Sequence, residues 1–473
     1  MLLGDIFGDG GEVEVTALAY DARAVQPGTL FFCVPGFTRD GHDFAPEAIE
    51  RGAVALVVQR PLGLGVPEVL VPDVRAAMAP AAARLNGDPT ARMSMVGITG
   101  TNGKTTTAFL TRSLLQQTGT SAGMLGTVEQ VIGGLATPAV RTTPEAIDLQ
   151  ETFARMADAG DTACAMEVSS HALSLHRADA IHWAVVVFTN LTQDHLDFHP
   201  TMADYFLAKR RLFTASPGVR VANIDDPYGR RLAEEFPGTV TVGIESEDAV
   251  LRATGLRTGL GGSRFDLLGR PWQTTLPGRF NVLNALCAIA AVRALGVDDD
   301  AIAAALPSAA RAPGRFEPVD EGQGFAVLVD YAHTPDSLEN VLRAARSLSR
   351  GDVILVFGCG GDRDRGKRGQ MGAIGAQLAD AAIVTSDNPR SEDPSAIIAQ
   401  VLAGVPDGMA ARVEAIEDRR EAIGAAIARA CAGDVVVIAG KGHEQGQEFT
   451  GGRKVPFDDA AVARDALRAV GGT

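Results

Sequence analysis

Short apolar runs alternate with amphipathic helical stretches along nearly the whole chain, the pattern of an α/β fold. Four apolar runs near the C-terminus, 325–330, 353–358, 381–386 and 435–440, predict strands, and each ends in a polar or glycine-rich turn. Helical periodicity between them covers 337–348 and 420–431. Upstream, strands are predicted over 93–98, 162–168 and 183–188, and helices over 105–117 and 205–213. Two breaks divide the chain. Asn86-Gly87-Asp88-Pro89 follows an Ala-rich helical pattern over 75–85, and Leu306-Pro307 precedes Ala312-Pro313-Gly314. They predict three α/β segments, 1–88, 89–312 and 313–473. In open parallel sheets, ligands bind beyond the carboxyl ends of the strands. Each of the four C-terminal strand ends carries a candidate site residue.

Composition narrows the class. A length of 473 residues fits three domains at about 150 residues each. With 46% hydrophobic and 21% charged residues, collagen-like, mucin-like and disordered chains are excluded. A net charge of −15 leaves no general basic face for nucleic acid or an anionic membrane. None of the five cysteines, Cys33, Cys164, Cys287, Cys359 and Cys431, pairs at C-x-x-C spacing, which excludes zinc ribbons and thioredoxin-like motifs. Sparse cysteines fit the reducing cytosol. No apolar run approaches the ~20 residues of a membrane helix, and positions 1–10 carry no basic stretch. A soluble cytoplasmic protein is expected. Glycine is the unusual count, 53 of 473. Such an excess marks tight turns and places where backbone approaches a ligand.

The chemistry starts between the predicted strand 93–98 and the helix 105–117, at Thr99-Gly100-Thr101-Asn102-Gly103-Lys104-Thr105-Thr106. Glycines let backbone N–H groups turn inward around phosphate oxygens, and the helix N-terminus adds its positive dipole end. Lys104 would reach the β- and γ-phosphates, and Thr105 can offer a hydroxyl to Mg²⁺. The general G-x-x-x-x-G-K-[ST] spacing is not met, because Ile98 stands where the first glycine belongs. A Gly/Thr-rich turn with a chance lysine is the plainer alternative. The strand–loop–helix context favours a nucleoside triphosphate.

The predicted strand 162–168 ends in Glu167-Val168-Ser169-Ser170-His171. The next, 183–188, leads into Thr189-Asn190-Leu191 and Asp194-His195-Leu196-Asp197-Phe198-His199. Carboxylates and imidazoles at neighbouring strand ends can converge on Mg²⁺ held against phosphates. His171, His176, His195 and His199 are half of the chain's 8 histidines. Taken singly, a histidine is more often structural; this cluster follows a phosphate loop, which favours function. The helix 205–213 carries Lys209, Arg210 and Arg211 in succession, and residue type does not say which of them matters.

Together G-T-N-G-K-T-T, E-V-S-S-H, F-T-N-L-x-x-D-H-L-D-x-H and Y-x-x-A-K resemble the Mur ligases of bacterial cell-wall synthesis. The resemblance continues through Gly278-Arg279-Phe280-Asn281, Pro313-Gly314-Arg315, Asp330-Tyr331-Ala332-His333-Thr334-Pro335 and Gly360-Gly361-Asp362-Arg363-Asp364, so it spans essentially the whole chain. It implies an N-terminal α/β domain for a UDP-sugar, a central P-loop ATPase-like parallel sheet for ATP, and a C-terminal Rossmann-like domain for an incoming amino acid. It implies that Thr99 to Thr106, Asn281, Arg315 and Asp330 surround the nucleotide. It further implies that Mg²⁺ is held by Thr105, Glu167, His195 and a carbamylated Lys209. Lys104, Glu167, His195 and Lys209 are the implied catalytic set.

For the UDP-MurNAc-dipeptide, the resemblance implies Ala22, Phe37, Thr38, Arg39, Thr142, Thr143, Ser169 and Arg177. Asp21-Ala22-Arg23 stands where the family usually has D-S-R, and Leu175 where close relatives often have glutamine. Asp387-Asn388-Pro389-Arg390 resembles the signature of the branch that adds meso-diaminopimelate; lysine-adding relatives lack the arginine. A guanidinium can grip the extra carboxylate of diaminopimelate bidentately. Arg363, Asp387, Asn388, Pro389, Arg390, Gly440 and Glu444 are the implied amino-acid contacts, with Glu444 facing the distal ammonium.

The expected activity is ATP-dependent addition of meso-diaminopimelate to the D-Glu of UDP-MurNAc-L-Ala-D-Glu through an acyl phosphate. The same ligase adding L-lysine is the alternative. A monomer acting on small molecules, with neither nucleic acid nor membrane as partner, is expected. A P-loop GTPase switch would call for N-K-x-D, and a folylpolyglutamate synthase would lack the 21–32 and 387–390 patterns. A non-catalytic UDP-sugar sensor would not need Lys104, Thr105, Glu167, His195 and Lys209 intact.

Overall fold

Alternating strands and helices are what the computed structural model contains, and it describes residues 1–8 and 11–471. The chain gathers into two compact units. The first comprises residues 1–99, 115–187 and 207–220; the second comprises 100–114, 188–206 and everything from Val221 onward.

The first unit begins with a parallel four-stranded sheet, Ala17–Ala19, Thr29–Phe32, Ala53–Val58 and Glu68–Leu70, in chain order. The helix Val74–Leu85 starts where the Asp73 carboxylate accepts hydrogen bonds from the Arg75 and Ala76 amides. It buries Val74, Met78, Ala79 and Ala82 against Leu30, Phe32, Ala55 and Val57, with Ala146 and Ile147 joining the same core. A second sheet includes, as consecutive neighbours, Trp183–Phe188, Ser94–Thr99, Ala163–Glu167, Ala122–Leu125, Glu129–Ile132 and Leu135–Pro138. Ala163–Glu167 pairs in parallel with both of its neighbours, and a short antiparallel meander closes the far side. Glu167 is the last residue of a fully buried strand, so the sheet delivers it to a carboxyl end.

The second unit holds the helix Arg279–Ala294, buried along most of its length, and an antiparallel sheet of Thr254–Gly259, Gly262–Leu267 and Arg270–Thr274. Its largest sheet runs Glu317–Pro318, Ala326–Asp330, Val435–Ala439, Val353–Phe357, Ala381–Val384 and Val413–Ala415, parallel except for the first strand. The late strand Val435–Ala439 is inserted between two earlier ones. Its Val435, Val437 and Ala439 pack beneath Pro335–Leu348, Gly366–Leu378 and Pro394–Leu402, while Val436 and Ile438 face Arg419–Arg429 and Asp459–Gly471. Burial on both faces explains why these strands read as continuous apolar runs. The insertion also sets Asp330 opposite Ala439, so the chain segments after both strands emerge side by side.

Among the described residues, no helix is long and apolar enough to cross a membrane.

Candidate active site

The phosphate loop joins the strand Ser94–Thr99 to the helix Lys104–Gln117. Within the second unit the loop is tied down from all sides. The Thr101 amide donates to the Asn190 carbonyl at 2.9 Å, and the Asn102 amide to Asn190 Oδ1 at 2.9 Å. Thr189 Oγ1 donates to the Asn102 carbonyl at 2.6 Å, and Asn102 Nδ2 to Asp336 Oδ2 at 2.8 Å. Lys104 Nζ folds back onto the carbonyls of Gly100 and Thr101, at 2.9 and 2.8 Å. Gly103, at φ +86°, has no room for a Cβ, which would run into the Asn284 side chain. Thr99, Thr101, Thr105 and Thr106 are all buried. A loop opened by two glycines, a lysine resting on the loop's own carbonyls and amides at the start of a 14-residue helix fit a phosphate group.

Other predicted nucleotide residues of the second unit converge on this loop. Asn281 is buried and accepts from Asn284, the residue that meets Gly103. Arg315 donates from Nη2 to Thr105 Oγ1 at 3.2 Å and lays its guanidinium 4.5 Å over the Tyr331 ring. Asp330 Oδ2 accepts from the Phe316 amide at 2.7 Å. Burial pushes the Asp330 carboxyl up to about 6, against the pull of Arg315 and two backbone amides.

His195 sits in the left-handed region at φ +54°, with Nε2 3.4 Å from Asp194 Oδ2. Burial raises the Asp194 carboxyl, but its electrostatic interactions with His195, His333 and Lys367 hold it below the usual carboxylate range. His199 donates its amide to the His195 carbonyl at 2.9 Å and stacks on Tyr205 at 5.0 Å. Left-handed backbone in a non-glycine residue is costly. It recurs at His176, beside Arg177; at Phe316, beside Arg315; at Asp362, beside Arg363; and at Arg390 itself.

The first unit assembles a different part of the predicted set. Glu167 is fully buried, and its two oxygens accept from the Thr127 amide at 2.7 Å and the Thr127 hydroxyl at 3.0 Å. Thr142 Oγ1 lies 3.1 Å from Thr127 Oγ1. Thr143 donates to the Glu167 carbonyl and accepts from the Ser169 amide. Arg177 donates from Nη1 to the Thr143 carbonyl at 3.3 Å and pairs with Glu145 at 2.8 Å. Arg75 and Arg141 reach the same Glu145 carboxylate, at 3.3 and 3.2 Å. Lys209 is 1% exposed on the helix Met202–Ala215, whereas Arg210 and Arg211 are half-buried and Arg211 reaches His176. Burial thus separates Lys209 from its two neighbours.

Toward the N-terminus, Ala22 is buried in a short turn capped by Asp21, so only backbone can meet a ligand there. Phe37, Thr38 and Arg39 lie on the exposed tip of a tight loop closed by the Gly36 amide and the Arg39 carbonyl at 2.9 Å. Phe37 is 79% exposed, which suits a ring that a ligand covers.

At the carboxyl ends of the six-stranded sheet, Asp387, Asn388 and Pro389 are buried. Asn388 Nδ2 donates to Glu444 Oε2 at 2.7 Å. Arg390 donates from Nη1 to the Gly361 carbonyl at 2.7 Å and from Nε to Glu448 at 3.1 Å. Gly440, at φ +118°, lies so close to Asp387 that a Cβ would come within 2.8 Å of its Oδ2. Arg363 is exposed and donates to the Asp362 carbonyl at 3.0 Å. Two residues absent from the predicted set belong to this cluster. Arg368, fully buried, binds Glu392, Gln400 and the Gly360 carbonyl, and so braces the 360–361 turn. Lys441, fully buried, contacts Asp387, Asn388 and Glu444. Its position between two glycines at a strand end was the available signal.

Among the described residues, His, Cys, Asp and Glu side chains form no group of three able to hold a metal ion. The set implied for Mg²⁺ has only two such side chains, Glu167 and His195, and depends on Thr105 and a modified Lys209 for the rest.

Comparison with known families decides the kinship. The catalytic domain of the Mur ligase family matches residues 14–86, the Mur ligase middle domain 98–292, and the Mur ligase glutamate ligase domain 314–442. The chain belongs to the Mur ligase family. Among relatives, the UDP-N-acetylmuramoyl-L-alanyl-D-glutamate--2,6-diaminopimelate ligase of Geobacillus thermodenitrificans is 48% identical over 472 residues, covering 97% of this chain and 96% of the relative. The Streptomyces coelicolor protein of that name is 47% identical over 474 residues, covering 97% and 93%. A solved structure of a UDP-N-acetylmuramoyl-L-alanyl-D-glutamate--2,6-diaminopimelate ligase superposes with a TM-score of 0.72 at 32% identity over the full length of both chains. The three-domain α/β organisation is that of a Mur ligase.

Proposed function

We propose that this Mur ligase joins meso-diaminopimelate to the side-chain carboxylate of D-Glu in UDP-MurNAc-L-Ala-D-Glu, splitting ATP to ADP and phosphate. The observation that carries this is the placement of Asp387-Asn388-Pro389-Arg390. That segment sits at a sheet's carboxyl end, beside Glu444 and over the 360–361 turn, in a chain 48% identical to a ligase named for 2,6-diaminopimelate. Arg390 supplies the guanidinium that an extra carboxylate calls for, which favours diaminopimelate over lysine.

The work divides by segment: 1–88 for the UDP-sugar, 89–312 for ATP and 313–473 for the amino acid. Phe37, Thr38, Arg39 and the backbone at Ala22 meet the UDP end, while Thr142, Thr143, Ser169 and Arg177 hold the dipeptide. Thr99 to Thr106 cradle the phosphates, with Asn281, Arg315 and Asp330 around the rest of the nucleotide. Thr105, Glu167, His195 and carbamylated Lys209 are the residues that would hold Mg²⁺, which when bound neutralises charge developing on phosphate oxygens.

A carboxylate is a poor electrophile, so the D-Glu oxygen first takes the γ-phosphoryl group of ATP, giving an acyl phosphate and ADP. Lys104 spreads the charge that develops in that transfer, and the preorganised loop amides add to it. The free amine of diaminopimelate then attacks the acyl carbon, phosphate leaves, and the amine gives up a proton. Arg363, Asp387, Asn388, Pro389, Arg390, Gly440 and Glu444 orient the amine. The setting is the cytoplasm, with the enzyme acting as a monomer on small molecules. Coupled measurement of ADP release tests this proposal. Release that needs both UDP-MurNAc-L-Ala-D-Glu and diaminopimelate supports it, and release with ATP alone contradicts it.

A further inference from the structure

Lys441 follows the strand Val435–Ala439 and is 0% exposed. Its Nζ donates to Asn388 Oδ1 at 3.0 Å and to Glu444 Oε2 at 3.1 Å, and Asp387 Oδ1 lies 3.6 Å away. Two N–H groups of the ammonium donate hydrogen bonds and Asp387 adds an ion pair, and with no exposed surface the ammonium meets these partners and not solvent. Burying an ammonium is costly unless its partners repay the loss of water. Here every partner belongs to the amino-acid end of the candidate site.

The same contacts fix the partners. Glu444 Oε2 is held by Lys441 and by Asn388 Nδ2 at 2.7 Å, while Oε1 has the Tyr331 hydroxyl at 3.5 Å and the side chain stays 31% exposed. Asn388 Oδ1 accepts from both Lys441 and the Glu448 amide, which orients its amide group. Two carboxylates and one ammonium leave a single net negative charge. That is the complement of one further ammonium group. Arg390 is engaged separately, by Glu448 and the Gly361 carbonyl.

We infer that Lys441 is a positioning residue for the incoming amino acid: it locks Glu444 and Asn388 and cancels one carboxylate charge, leaving Glu444 Oε1 to take the substrate's distal ammonium. The inference rests on the ligase reading above, which puts that ammonium at Glu444. Lys441 acts on the ammonium end, common to diaminopimelate and lysine. Arg390 acts on the carboxylate that only diaminopimelate has.

Steady-state kinetics of K441M, with all three substrates varied, test this. The KM for diaminopimelate is expected to rise roughly 100-fold, from leaving buried partners uncompensated. The KM values for ATP and the UDP-substrate, kcat, and the ratio of diaminopimelate to lysine use should stay near wild type. In an E444Q background the same substitution should add little, because its effect runs through Glu444. A fall in kcat at unchanged KM, a parallel rise in all three KM values, or full additivity with E444Q would overturn the inference. If K441M does not fold, K441R retains the cation and should show a smaller KM effect confined to the amino acid. A loss spread over all substrates would refute the role there too. Wild-type enzyme that does not use diaminopimelate would instead sink the ligase reading, whatever the Lys441 variants do.

Discussion

At the phosphate loop, residues 100–106, the groups offered to a ligand are backbone amides, threonine hydroxyls and one ammonium, Lys104, resting on carbonyls of its own loop. At the ends of the six-stranded sheet, around 387–390 and 440–448, they are carboxylates and cations already paired with one another. The first arrangement suits a polyanion: donors converge, and the carboxylate that touches the loop, Asp336, is engaged by the Asn102 side chain. The second suits a zwitterion, because opposite charges stand ready in fixed places. The chain has a net charge of −15 although the ligands proposed for it are largely anionic, so attraction has to be local.

The contrast can be broken at either end. The largest effect is expected for K104A. It removes the loop's ammonium group and should lower kcat at least ~10³-fold, by analogy with other lost electrostatic contacts to a transition state. Circular dichroism and the melting temperature should stay close to wild type. Near-normal turnover would show that the loop does not serve phosphate. Next comes R390K, which keeps the charge but loses the planar fork. The preference for diaminopimelate over lysine, measured as a ratio of kcat/KM values, should fall about 10²-fold or more. An unchanged ratio would place carboxylate recognition elsewhere.

Asp330 gives a pH test. Its carboxyl is raised to about 6 from 3.8, so the folded state holds the proton more tightly than the unfolded chain. The stabilising contribution of that proton is fully present below pH 3.8 and is lost as pH rises through about 6. At neutral pH the buried carboxylate costs about 3 kcal/mol on this basis. D330N should therefore raise the melting temperature of the ligand-free protein at pH 8 more than at pH 5, while raising the KM for ATP. Equal shifts at both pH values would contradict the assignment. F37A should be the mildest change. An exposed side chain contributes within about 0.5 kcal/mol to stability. The KM for the UDP-substrate should nonetheless rise about tenfold, as one lost aromatic contact would give.

Strands of the second unit were legible because both faces are apolar. The predicted 353–358 and 435–440 became Val353–Phe357 and Val435–Ala439. Most predicted helices also fell within a residue or two of their observed bounds, as for 105–117 against Lys104–Gln117. The antiparallel sheet of Thr254–Gly259, Gly262–Leu267 and Arg270–Thr274 was not anticipated. Its first strand is largely exposed and carries no apolar run. The meander Glu129–Ile132 and Leu135–Pro138 was also missed, although Gly133-Gly134 between its strands is a recognised hairpin signal.

The candidate site divides in the same way. Motifs continuous in sequence, such as 99–106 and 387–390, stood out. Lys441 did not, because its partners Asp387 and Asn388 lie some fifty residues upstream and meet it only through sheet order. Which of Lys209, Arg210 and Arg211 mattered was equally illegible from residue type. The resemblance pointed to Lys209, and the helix phase buries it while leaving the arginines half-buried.

The most direct test of the whole account is a competition. The enzyme is given ATP, Mg²⁺, UDP-MurNAc-L-Ala-D-Glu and equal concentrations of meso-diaminopimelate and L-lysine, and the products are separated by mass. The product carrying diaminopimelate should dominate by about 10⁴ or more, as expected for a site built around a polar group the competitor lacks. Comparable amounts of the two products, or an excess of the lysine product, would contradict it.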